Sequence, residues 1–191
     1  STNPSKEFSH RQSALDVFAL LDELGVQNFK GMGISTGGMT LLHMATSQPE
    51  RVEAMVLIGA ASYFPEKARK VFRARDPESA TEEYWEYMRR HHYSDEQILM
   101  LLSHFHGFKD SYDDMNFTPP LLSTITARAL IVYGDRDDLF PVEMATEIYG
   151  AIPHSYLWIV PNGGHYPVFG EYLAPFLKTT QQFLRGDWEA E

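Results

Sequence analysis

Gly33-Ile34-Ser35-Thr36-Gly37-Gly38 is the stretch that decides the fold. It is a G-x-S-x-G pattern placed between a short strand-like run, Asn28 to Met32, and a helical stretch, Met39 to Ser47, stopped by Pro49. A serine on a sharp strand-to-helix turn is held in strained backbone geometry with its hydroxyl exposed above the sheet. The residues two before and two after it come close, so hydrogen side chains are expected at both, here Gly33 and Gly37. The turn also sets a helix N-terminus beneath the serine, where free amides and the helix dipole favour a developing oxyanion. Thr36 would give its backbone N–H to that oxyanion.

Outward from this turn the chain alternates. Ala14 to Leu24 has helical apolar spacing and ends at Gly25. Val52 to Ile58, Ala129 to Tyr133 and Tyr156 to Val160 are continuous apolar runs, expected to be strands buried on both faces. Pro141 suits the first turn of a helix running to about Gly150, and a last helix is expected over Tyr172 to Leu184. Such alternation predicts an α/β fold, a mostly parallel sheet flanked by helices.

A long insert interrupts this order. Residues 61–123 hold 11 of the 25 aromatic residues. Asp76-Pro77 looks like a cap followed by a first-turn proline, and Ser94-Asp95-Glu96-Gln97 is a capping box opening a helix through Leu102. The insert therefore reads as short helices, a lid over a core made of residues 1–60 and 124–191. Its aromatics either line a substrate cavity or fasten the insert to the sheet.

A serine hydroxyl needs a base, and a histidine base needs an acid to hold its tautomer. Asp135, Asp137 and Asp138 follow the strand that ends at Tyr133, in Gly134-Asp135-Arg136-Asp137-Asp138. His165 follows the next strand, in Asn162-Gly163-Gly164-His165. In a parallel sheet these loops leave one edge, the carboxyl ends of the strands, so residues far apart in sequence converge there.

These three elements resemble the α/β-hydrolase fold family: the elbow around Ser35, the strand and loop Leu130 to Asp137, and the histidine loop Gly163-Gly164-His165. The resemblance implies Ser35 as nucleophile, His165 as base, and Asp137, three residues after the strand-ending Gly134, as the acid. It implies a serine hydrolase cleaving an ester or related small acyl substrate, with no cofactor. The same scaffold also serves non-catalytic binding proteins, the rival expectation. Family members begin with about four further strands and an early loop that supplies a second oxyanion amide. Nothing here corresponds to them, and Ser1-Thr2-Asn3-Pro4 resembles the end of the loop after those strands. The elbow strand is thus expected to form a sheet edge; Met32, Ile34 and Val52 to Ile58 read as buried, so that edge is expected to be covered by a missing N-terminal portion or by another copy.

Composition narrows the rest. Sixteen Lys+Arg against 26 Asp+Glu give a net charge of −10, which argues against nucleic acid as the main partner. With zero cysteines, disulfides, thiolate nucleophiles and Cys-ligated metals are excluded. His104-Phe105-His106 lacks further converging ligands, so no metal is expected. The basic run Lys67, Arg69, Lys70, Arg73 and Arg75 reads as a solvated face of the insert, and His43 as a core or helix-surface residue. No apolar run approaches the ~20 residues of a membrane span, and a cytoplasmic location is the expectation.

Overall fold

A computed structural model describes residues 5 and 7–188; Ser1-Thr2-Asn3-Pro4 lie outside them. Four parallel strands form one sheet in the order β1-β2-β3-β4: Phe29–Ile34, Val52–Ile58, Arg128–Gly134 and Ser155–Val160. Helices α1 (His10–Glu23), α2 (Thr36–Ser47), α7 (Val142–Ala151) and α8 (Leu173–Arg185) flank it. The stretch between β2 and β3 carries α3 (Glu66–Ala74), α4 (Glu82–Arg89), α5 (Asp95–Gly107) and the single turn α6 (Pro119–Leu122). No described helix is long and apolar enough to cross a membrane.

Side chains alternate along a strand, so a strand covered on both faces feeds two cores. In β2, Met55 and Leu57 enter one core while Ala54, Val56 and Ile58 enter the other. In β3, Ala129, Ile131 and Tyr133 join the first, and Leu130 and Val132 the second. The first core is thick, fed by α1, α2, α7 and the insert. The second is thin, closed by Phe176 and Phe183 of α8.

This asymmetry corrects two expectations. Met32 on β1, expected to be buried, is 53% exposed. It points to the thin side, where α8 lies over β2 and does not reach across to cover it. Tyr156 to Ile159 are only half-buried, because β4 is the opposite edge strand. β1 is a sheet edge, as the missing-strand argument expects. Beside it, Leu15, Leu20 and Leu24 of α1 are also exposed.

Local signals locate the helix ends. Ser9 caps α1 by accepting from Gln12 N at 3.0 Å. Ser94 caps α5 through Gln97 N at 3.2 Å, though α5 runs on to Gly107, beyond the expected Leu102. Asp76 accepts from Glu78 N, but the element that follows is a single 3₁₀ turn. Pro141 takes the N-cap position of α7 with extended backbone, one residue earlier than expected. α2 begins at Thr36, three residues before the apolar pattern shows it.

The insert is rooted at both ends. At its base, Phe117 N donates to Ser62 O at 2.9 Å and Tyr63 bridges Asn116. Within the basic run, Arg69 is not solvated: it is 5% exposed. Its guanidinium donates to the carbonyls of Phe64, Phe108, Lys109 and Ser111 and stacks 3.8 Å from the centre of the Tyr112 ring. A buried charge is tolerated only when its donors are filled in this way.

Candidate active site

Ser35 stands at the junction of β1 and α2 with φ 50 and ψ −115. A non-glycine residue at positive φ costs about 1–3 kcal/mol, which the surroundings must impose. Two bonds impose it: Ser35 N donates to Ile58 O at 2.8 Å, and Met39 N donates to Ser35 O at 3.0 Å. Gly33 is obligatory, since a Cβ there would lie 2.3 Å from the Gly37 carbonyl carbon. Gly37 departs from expectation: a Cβ on it would meet nothing within 4 Å. The crowded partner is instead Gly38, whose Cβ would lie 2.6 Å from that of Ala60. Thr36 N, first of α2, has no intrahelical acceptor by position.

Of the three aspartates after β3, Asp137 alone is buried, at 5% exposure; Asp135 and Asp138 are exposed. Asp137 Oδ1 accepts from Leu139 N at 2.7 Å and Phe140 N at 3.0 Å. Its Oδ2 accepts from His165 Nδ1 at 2.8 Å. A carboxylate bonded this way only accepts, so Nδ1 carries the proton and Nε2 is left as the acceptor. Ser35 Oγ lies 3.0 Å from that Nε2. Ser35, Asp137 and His165 are thus brought into one hydrogen-bonded row. Beneath it, burial and then the Asp137 charge push the Tyr133 phenol well above its usual pKa. It stays a neutral donor to Ala60 O.

Gly59, Gly134 and Lys67 contribute in ways the sequence reading did not assign, while Phe140 packs as its place beside the acid loop suggests. Gly59, at φ 54, leaves room for the imidazole: a Cβ there would sit 3.3 Å from His165 Nδ1. Gly134 lets the histidine loop pass, since its Cβ would fall 2.1 Å from Gly163 O. The signal for both was a glycine closing an apolar strand. Lys67 of α3 donates to Asp137 O at 2.7 Å, joining the insert to the acid loop. Phe140 packs edge-on to His165 with ring centres 5.4 Å apart.

A second histidine–aspartate pair lies elsewhere. His10, fully buried, donates from Nδ1 to Asp114 Oδ2 at 2.6 Å. The same carboxylate accepts from His10 N and Arg11 N at the start of α1. His43 donates from Nε2 to the Asp114 carbonyl at 2.7 Å. Burial works to raise the Asp114 carboxyl, but the bonds from His10 and Arg11 outweigh it and hold its pKa well below the usual range. Burial, the largest influence on His43, lowers its pKa despite Asp114. The His10 ring packs against Phe8, Phe64 and Phe108, and its Nε2 has no hydrogen-bond partner among the described residues. Among the described residues, no group of three or more His, Cys, Asp or Glu could hold a metal; His106 is spent on Phe72 O.

Comparison with known proteins agrees with this geometry. Residues 1–86 match the family model described as the alpha/beta hydrolase fold. The human serine hydrolase BPHL is 26% identical over 199 residues, covering 97% of this chain and 65% of its own length. A 2-hydroxy-6-oxononadienedioate/2-hydroxy-6-oxononatrienedioate hydrolase of Pseudomonas putida is 26% identical over 197 residues, 87% of this chain and 66% of that protein. The chain therefore spans about two thirds of the length of these relatives. A solved meta-cleavage product hydrolase of Pseudomonas fluorescens superposes with a TM-score of 0.76 at 18% identity, over 98% of this chain and 76% of that one. At that identity the likeness speaks for the fold alone. With sheet order and elbow in agreement, the chain has the α/β-hydrolase fold, and the relatives it matches are named hydrolases, which supports a hydrolase.

Proposed function

We propose that the chain is a serine hydrolase acting on an ester or related acyl substrate through Ser35, His165 and Asp137. The observation that carries this reading is the unbroken row from Ser35 Oγ to His165 Nε2 at 3.0 Å and from His165 Nδ1 to Asp137 Oδ2 at 2.8 Å. Ser35 Oγ attacks the substrate carbonyl carbon while His165 Nε2 takes the hydroxyl proton. Asp137 holds the tautomer that makes this possible and stabilises the imidazolium that forms. Thr36 N–H donates to the oxyanion. His165 then returns the proton to the leaving group, giving an acyl-enzyme. Water, deprotonated by the same imidazole, releases the acid and restores Ser35. No step calls on a cofactor.

In this reading residues 61–123 are the lid, and small-molecule acyl substrates enter between it and the sheet. The exposed edge of β1, with Met32 and the outer face of α1, is covered by further polypeptide, either an N-terminal portion or another copy. That covering polypeptide supplies the second oxyanion donor. A single missing donor costs about 10²–10³ in rate, so the binding-protein alternative is favoured only if Thr36 acts alone.

A fluorophosphonate probe separates the two. We expect covalent labelling at Ser35, read by peptide mass, and none in Ser35→Ala. An unlabelled Ser35 in folded protein overturns the hydrolase assignment in favour of a binding role.

A further inference from the structure

A cavity of about 610 Å³ lies inside the insert, between α3, the 3₁₀ turn at Pro77–Ser79, α4 and α5. We propose, building on the hydrolase reading, that this cavity is the subsite for the part of the substrate remote from the reacting carbonyl, and that it takes an elongated apolar chain ending in a carboxylate bound by Arg75.

The walls fix the apolar part. Met88, Leu101, Leu102, Phe105 and Tyr84 line it, which suits hydrocarbon and offers little to a polar chain. Tyr166 completes the lining, and its ring centre is 4.8 Å from that of His165. The cavity thus opens beside the base, where an acyl chain leaving Ser35 would enter.

The charge fixes the end of the chain. Arg75 is the only cation among the lining residues, and its guanidinium lies 5.3 Å from the centre of the Phe105 ring. Neighbouring arginines of the insert are already committed: Arg73 pairs with Glu66, and Arg89 with Glu82 and Asp95. Arg75 has no carboxylate partner among the described residues. The one acid of the lining, Asp76, is occupied by Glu78 N at 2.9 Å. The Arg75 side chain is exposed, so its guanidinium fork is open to receive a carboxylate.

Length follows from α3. Its Lys67 end reaches the carbonyl of Asp137, while Arg75 follows its last turn. Eight helical rises separate the two, about 12 Å. A substrate running from the acid loop along α3 to Arg75 would have to cover about that length.

Binding to Ser35→Ala protein tests this without relying on turnover. Calorimetric titration would compare monomethyl decanedioate, which carries one carboxylate, with neutral dimethyl decanedioate. We expect the acid to bind about fivefold tighter or better, Arg75→Gln to erase that preference, and Leu102→Gln to weaken both ligands alike. Arg75 also sits at the C-terminal end of α3, where a cation helps the helix dipole. A purely helix-supporting role would change melting temperature and leave the acid preference intact. Equal binding of the two ligands, or a preference that survives Arg75→Gln, overturns the subsite. A labelled Ser35 with no acid preference sinks the subsite alone. Acid preference beside an unlabelled Ser35 keeps the subsite and sinks the hydrolase reading.

Discussion

Two histidine–aspartate pairs sit in this molecule with almost the same internal geometry. His165 donates to Asp137 at 2.8 Å and His10 donates to Asp114 at 2.6 Å, in both cases from Nδ1. Both carboxylates accept two backbone amides besides. The pairs differ in what the far nitrogen meets. For His165 it is the hydroxyl of a strained serine; for His10 that nitrogen finds no partner among the described residues, the ring being packed among phenyl rings. A buried imidazole–carboxylate pair is therefore not a catalytic device in itself. One pair faces the Ser35 hydroxyl; the other staples the insert to the first helix.

The widest separation should come from truncating the histidines. His165→Ala should lower ester turnover by about 10⁶-fold while leaving the melting temperature near that of the parent. His10→Gln should do the reverse, lowering the melting temperature and keeping the rate per folded molecule. A rate collapse in folded His10→Gln protein would end the distinction.

Next come the acids near the site. Asp137→Asn should cost about 10⁴ in turnover, because an amide favours the wrong tautomer. Asp138→Asn, on the exposed neighbour, should stay within about twofold of wild type, since an exposed charge contributes little. Equal losses at the two positions would show that the acid is misassigned.

Asp114→Asn carries a smaller effect of another kind. It leaves His10 and two helix-end amides with a weaker acceptor, costing about 1–3 kcal/mol of stability. Denaturant titration should show it, with steady-state turnover per folded molecule unchanged.

The mildest expected effect is the pH dependence of that staple. His43 has a folded pKa below its ordinary 6.5, so the unfolded chain takes up the proton first. Stability from this group is full above about pH 6.5 and falls as the pH drops below it. Asp114 is depressed below 3.8, so its contribution is full above that value and is lost in stronger acid. Thermal melts of wild type and His43→Gln between pH 5 and 7 should show a flatter profile for the variant. Parallel profiles would remove His43 from the account.

Much of this was legible in the residues, for reasons that can be named. Val52 to Ile58 is apolar at both parities, and it became a strand feeding two cores, with only Glu53 left exposed. The elbow and the two loops carry backbone demands that only certain residue types meet, so Ser35, Asp137 and His165 stood out by pattern, and the fold brings the three side chains together. Met32 was misjudged because an apolar residue on a strand says nothing about whether a helix will lie over it. Gly37 was credited with a crowding that falls on Gly33 and Gly38, since which hydrogen faces the neighbour depends on a turn's exact path. Arg69 and the pair His10–Asp114 were invisible because each depends on groups 39 to 104 residues distant, with only Phe64 near Arg69 in sequence. No local pattern encodes such closure.

The clasp around Arg69 has one more consequence. A guanidinium keeps its proton at any pH the protein survives, so the four carbonyls wound about it stay gathered in acid and alkali alike. Asp114, which ties the insert to α1, depends instead on groups that change charge as the medium sours. Acidification would then loosen that seam while the Arg69 clasp holds.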